Sequence, residues 1–172
     1  MTLKLTDKDF SEVKKVAEII KEVDHSNISE LVNSFEEIEK YQPFLISLLL
    51  GFKDQLNKIE LDELANNLII IWRYYQNFPK TMEVRITADQ YQDFDEKNLR
   101  FLNYLTGEPN EEARLKTIAL NLDSLESKAL LTGLFYRYNE NKNLSSMEKG
   151  LKGEVLLGLK SLIQCFDSIN QT

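Results

Sequence analysis

The chain has 172 residues, a formal net charge of −7 and a pI near 4.9, with 42% hydrophobic and 28% charged residues. A domain of this length buries roughly two thirds of its unfolded surface and needs no staple, and its acidity repels a phosphate backbone, which sets nucleic acid aside as a partner. The single cysteine, Cys165, excludes an intrachain disulfide and suits a reducing cytoplasm, while six glycines and three prolines argue against a loop-rich or all-β chain.

The first residues, MTLKLTDKDFSEV, hold no apolar run and no cleavage-like site, so no secretory signal is expected. Thr6 is read as the cap of a helix from Asp7 to about Asp24, with Asp7 and Asp9 favourable to its N-terminal dipole and Phe10, Val13, Ala17, Ile20 and Val23 as its apolar stripe. Ser26 or Asn27, with Glu30 three or four residues on, opens a second helix with the stripe Ile28, Leu31, Phe35 and Ile38. Pro43 suits the first turn of a third, to about Leu56. Its centre, FLISLLLGF, is apolar all round and is expected to be buried, with Ser47 and Gly51 as a small patch for close helix contact. At nine residues this stretch is far short of the ~20 that span a membrane.

The segment Ile59–Phe78 is apolar over most of its circumference: Leu61, Leu64, Ala65, Leu68, Ile71, Trp72 and Tyr75 share a face, leaving only the stripe Asn66, Arg73, Asn77 polar. Such a helix is normally central and packed on several sides. Residues 80–87 lack helical periodicity and read as an extended connector.

Thr87 with Gln90 caps the next helix, to about Thr106, presenting Tyr91, Phe94, Leu99, Leu102 and Leu105, with Gly107 as its stop. A short helix follows from Pro109 to about Asn121. Asp123 with Glu126 and Ser145 with Glu148 suggest capping boxes for the last two, which end near Asn139 and Ile169. The final stripe is Met147, Leu151, Val155, Leu159, Leu162, Phe166 and Ile169. Gly150, Gly153 and Gly158 lie within that helix; each costs about 1 kcal/mol against alanine, so close approach of another backbone, or a kink, is expected there.

The fold expected is therefore all-α, seven to eight helices in two packed four-helix halves, residues 1–79 and 88–172. SLLLGF at 47–52 resembles ALLTGL at 129–134, and the offset of 82 allows an internal duplication.

The chemistry-bearing residues are few. His25, the only histidine, cannot supply a Ser-His-Asp relay or a multi-histidine zinc site. Cys165 has no base or cation near it in sequence and reads as structural. Asn139, Asn141 and Asn143 alternate as calcium-loop ligands do, but Leu144 and Gly150 stand where the loop glycine and bidentate glutamate belong. Glu36 with Glu39 and Glu60 with Glu63 place paired acids one turn apart, where they can hold Mg²⁺. Their layout resembles the metal-binding layout of all-α nucleotide pyrophosphohydrolases, except that the pattern ends in Glu-x-x-Asp and Asp62 falls one place early. Arg73 in WRYY and Arg137 in FYRY join arginine to aromatics, as interface anchors do.

The leading functional expectation is a non-catalytic cytoplasmic protein that binds another protein or itself, without a cofactor. Trp72, Arg73, Tyr75, Arg137, Tyr138 and Gly153 are the interaction candidates, with contacts centred on the last helix and the FYRY segment. A second reading is a Mg²⁺-dependent nucleotide hydrolase using Glu36, Glu39, Glu60 and Glu63. A third is a small-molecule pocket between the halves, lined by Trp72, Tyr75, Arg137 and Tyr138.

Overall fold

The computed structural model describes the backbone of residues 7–171 and the side chains of residues 10–171. The Thr6 cap and the Asp7 and Asp9 side chains lie outside the described residues. Nine helices and no strand occur among the described residues: α1 (Asp7–Asp24), α2 (Ile28–Tyr41), α3 (Phe44–Gly51), α4 (Lys58–Tyr75), α5 (Ala88–Gly107), α6 (Glu111–Asp123), α7 (Lys128–Glu140), α8 (Lys142–Ser145) and α9 (Lys149–Gln171). The fold is all-α, and α8 is a single turn in the NENKNL segment, capped by Asn141. None of these helices is long and apolar enough to cross a membrane.

Helix α4 holds the centre. It starts at a capping box: Glu60 N–H donates to Asn57 Oδ1 and Asn57 N–H to Glu60 Oε2, both at 3.0 Å. Five consecutive residues, Leu68 to Trp72, are 0% exposed, which a helix achieves only when it is covered all round. Helices α1, α2, α3, α7, α8 and α9 supply the cover. Each such Leu or Ile contributes about 1.5–3 kcal/mol by leaving water. The Trp72 ring stacks on Tyr41 at 6.1 Å, and its indole N–H donates to Glu37 Oε2 at 3.0 Å. Tyr75 stacks on Phe166 of α9 at 4.5 Å.

Helix α1 turns a different face inward from the one its sequence suggests. Val16, Ile19 and Val23 are buried, whereas Phe10 is 60% and Val13 48% exposed. The reason lies on α7. Gly133 has no side chain, and a Cβ there would fall 2.6 Å from Val16 Cγ1, so the glycine makes room for Val16. Because α1 packs on both α4 and α7, buried side chains from both sides of residues 80–87 form a common cluster.

Helix α5 is rotated likewise. It lies along α9 and buries Asn98, while Leu99 and Leu102 face solvent. Asn98 Nδ2 donates to Ser161 Oγ at 2.9 Å and Gln164 Oε1 at 2.7 Å, so the amide is satisfied in the interface. Close approach occurs at Gly158, where a Cβ would fall 2.8 Å from the Tyr91 hydroxyl, and not at Gly153, which has nothing within 4 Å.

Two expected caps are replaced. Ser127, not Asp123, precedes α7, and its hydroxyl is directed to Asp167 Oδ1 at 2.6 Å. At α9 the Glu148 carboxylate accepts from Gly150 N and Leu151 N, where Ser145 was expected to cap. Residues 79–84 form turns, and only 85–87 run without regular structure into α5. The buried Gln42 amide organises them: Nε2 donates to Thr81 O and Val84 O, each at 2.7 Å, and Oε1 accepts from Ile86 N at 2.9 Å.

Candidate functional site

Helix α3 ends at Gly51, five residues before its expected end, and turns over residues 52–55 lead to Asn57. It rests on α2 and α4. The largely apolar sequence FLISLLLG packs Phe44, Ile46, Leu48 and Leu49 partly against the core. Of its side chains Leu45 is fully buried, while Leu50 is 57% exposed. This corrects the expected burial of the whole segment.

On another side of α3, between it, α5 and α9, lies a cleft of about 520 Å³, which Leu50 does not line. Phe44, Leu48 and Phe52 of the α3 segment form one wall, and Tyr91, Leu99 and Leu157 the other. The Phe44 and Tyr91 rings meet at 5.1 Å. Gly51 opens onto the cleft with nothing within 4 Å of where its Cβ would stand. Ser47 and Gln55 add neutral polar groups, and the charged lining residues are both acids, Asp95 and Glu154. Asp95 Oδ1 accepts from Ser161 Oγ at 3.1 Å, which steadies it from behind, while Glu154 is exposed. Burial, and then the Asp95 charge, push the Tyr91 hydroxyl well above its ordinary range, so it stays a neutral phenol. No nucleophile paired with a base lines this space. It can take apolar groups flanked by cations.

No family model, no curated protein and no solved structure matches this chain.

The residues expected to act lie elsewhere. Arg137 is 5% exposed and donates from all three nitrogens: Nη2 to Asp24 Oδ1 and Glu63 Oε2 at 2.6 Å each, Nε to Asp24 Oδ1 at 3.1 Å and Nη1 to Asn67 Oδ1 at 3.0 Å. A guanidinium so placed ties α7 to α1 and α4 inside the fold, where the sequence reading has it as an interaction candidate. Beside it, Asn67 Nδ2 and the Tyr138 hydroxyl are buried without a hydrogen-bond partner among the described residues. Trp72, Tyr75 and Tyr138 are wholly inside the packed core and line no part of the cleft. Arg73 Nη2 reaches Ser34 Oγ at 3.3 Å and Ser26 Oγ at 3.4 Å. Gly153 lies exposed on α9.

The four glutamates have separate surroundings. Glu36 and Glu39 are exposed on α2, Glu60 closes the α4 capping box, and Glu63 accepts from Arg137, Asn141 and Asn143. Among the described residues no three His, Cys, Asp or Glu side chains are grouped to hold a metal ion. Asn141 and Asn143, two of the alternating asparagines, donate to Glu63 Oε1 at 3.0 and 3.3 Å. Cys165 is buried, and burial pushes its thiol up to about 12, far from a reactive thiolate. His25 Nδ1 lies 2.7 Å from Lys21 O in the turn ending α1.

The cleft was not legible in the sequence as a site. The available signal was α3 itself, a largely apolar helix of eight residues.

Proposed function

We propose that this protein is a non-catalytic interaction protein, and that its α3–α5–α9 cleft receives a segment of another protein. The observation that carries the reading is a cleft walled by the half-buried apolar side chains Phe44, Leu48 and Phe52 on one side and Tyr91, Leu99 and Leu157 on the other. Other features agree. The cleft residues include no activated nucleophile, and the most strongly tied polar groups, around Arg137, act inside the fold. The docking surface moves from the last helix and FYRY to α3, because α9 is largely buried from Val155 to Ile169. A reducing cytoplasm suits the lone buried Cys165. In this reading the chain works as two helical halves joined through residues 80–87 and packed on each other where α1 lies on α7 and α4 on α7, α8 and α9.

The test is a selection from a phage library of random 16-residue peptides, run in parallel on the wild type and on Gly51→Leu. The substitution fills open space at a helix end, so the variant should be at least as stable as the wild type. Peptides enriched on the wild type and lost on Gly51→Leu support docking in the cleft. Identical pools on both proteins, or no enrichment, defeat it.

A further inference from the structure

Resting on the docking reading, we infer that the segment taken by this cleft is a cationic amphipathic helix, with its apolar side chains on the Phe44, Leu48 and Phe52 wall and its lysines or arginines against Asp95 and Glu154. Two observations carry this. The first concerns the backbone. The walls are helices and the turn that follows α3, where Phe52 N–H and Gln55 N–H pair locally, and no strand among the described residues offers an edge. An incoming extended segment would leave its own N–H and C=O groups unpaired against an apolar wall, which is costly. A helix brings them satisfied, and its anchors at i, i+3 or i+4 and i+7 match a wall built from one short helix.

The second concerns charge. Asp95 and Glu154 lie on the cleft, and no lysine or arginine lines it. Glu154 is exposed and makes no hydrogen bond or ion pair among the described residues, so it is free to pair with an incoming cation. The whole chain adds a net charge of −7, which speeds the approach of a basic segment and slows that of an acidic one. An apolar groove alone would accept either; the acids select.

The experiment uses the full chain and the most enriched cleft-dependent peptide from the selection above, made synthetically with a fluorophore. The expected peptide carries net positive charge and helical apolar spacing, and becomes helical by circular dichroism on binding. Its affinity should fall about two- to fivefold on Glu154→Gln, the scale of one exposed ion pair, and at least about tenfold on Gly51→Leu, which blocks an anchor. Raised salt should weaken binding to the wild type more than to Glu154→Gln. Cleft-dependent peptides that are neutral or acidic, or that bind Glu154→Gln and the wild type alike at every salt, overturn this inference while leaving the docking reading intact. Absence of any cleft-dependent peptide overturns both. A dimer seen by light scattering and abolished in Gly51→Leu assigns the cleft to a second copy and overturns the cationic-helix inference.

Discussion

Arg137 and Glu63 meet at 2.6 Å, with the guanidinium 4% and the carboxylate 13% exposed, and the pair joins α7 to the first half of α4. Arg137 also holds Asp24 at the end of α1, so one side chain ties three helices. Removing it leaves Glu63 without its counter-charge and Asn67 Oδ1 without its donor. Arg137→Ala should therefore cost about 3 kcal/mol or more in urea melts at neutral pH. A loss below about 1 kcal/mol would mean that the helices are held without it.

The same pair sets an acid limit. Burial pulls the Glu63 carboxyl up, but the Asn141 hydrogen bond and the charge of Arg137 outweigh it and hold the group below 4.5. A carboxylate depressed in the fold contributes stability above its unfolded value, and that contribution is lost as the pH falls through the folded value. Glu63→Gln should be less stable than the wild type at neutral pH and show a shallower loss below about 4.5. Parallel acid limbs in the two proteins would assign the acid sensitivity to other groups.

Tyr75 donates to Asp167 Oδ1 at 2.6 Å in the core. Burial pushes the Asp167 carboxyl above 3.8, opposed by hydrogen bonds from Ser127 and Tyr75. A raised acid contributes fully below its unfolded value, and the contribution is lost as the pH rises through its folded value. Tyr75→Phe removes a bond that favours the charged form, so its deficit should be small in acid and reach about 1.5–3 kcal/mol at neutral pH. Melts of both proteins in the two conditions decide it; an equal deficit in each would show that the hydroxyl does not stabilise the carboxylate.

Two glycines should respond to alanine with opposite signs. At Gly133 a Cβ meets Val16 Cγ1 at 2.6 Å, so α1 and α7 must separate, at a cost of about 1–3 kcal/mol. At Gly51 nothing lies within 4 Å, and the gain in helix propensity should stabilise by up to about 1 kcal/mol. A destabilised Gly51→Ala, or a neutral Gly133→Ala, would contradict this packing.

Lys160 is buried between α9 and its neighbours, with Nζ donating to Asn121 Oδ1 at 2.6 Å and lying 5.2 Å from the Phe101 ring centre. Burial pulls its ammonium down to about 8 from 10.5. Between those values the unfolded chain binds more protons, so this residue makes stability rise with pH over that window. Lys160→Met should abolish the rise and cost little at neutral pH, because it replaces a desolvated charge by a side chain of similar length. Urea melts across the alkaline range test it: an unchanged rise in the variant would place its origin elsewhere.

Local signals were enough to read much of the architecture from the sequence. Asn27 with Glu30 and Thr87 with Gln90 form the caps expected of them, because a cap is satisfied within one turn. The near-complete apolar circumference of Ile59–Phe78 marked α4 as central, and Val155, Leu159, Leu162, Phe166 and Ile169 of the expected stripe lie on the buried side of α9. What the sequence could not determine is which neighbour covers each face. Val16 turns inward because of a glycine on α7, Asn98 because of Ser161, 63 residues on, and Arg137 because of Asn67, 70 residues back. Helical periodicity repeats every few residues and carries no record of a partner so distant, so rotation about a helix axis is decided by packing. The same holds for the cleft: the sequence made α3 apolar on every side, and only the arrangement of α2, α4, α5 and α9 decided which of those sides stayed open.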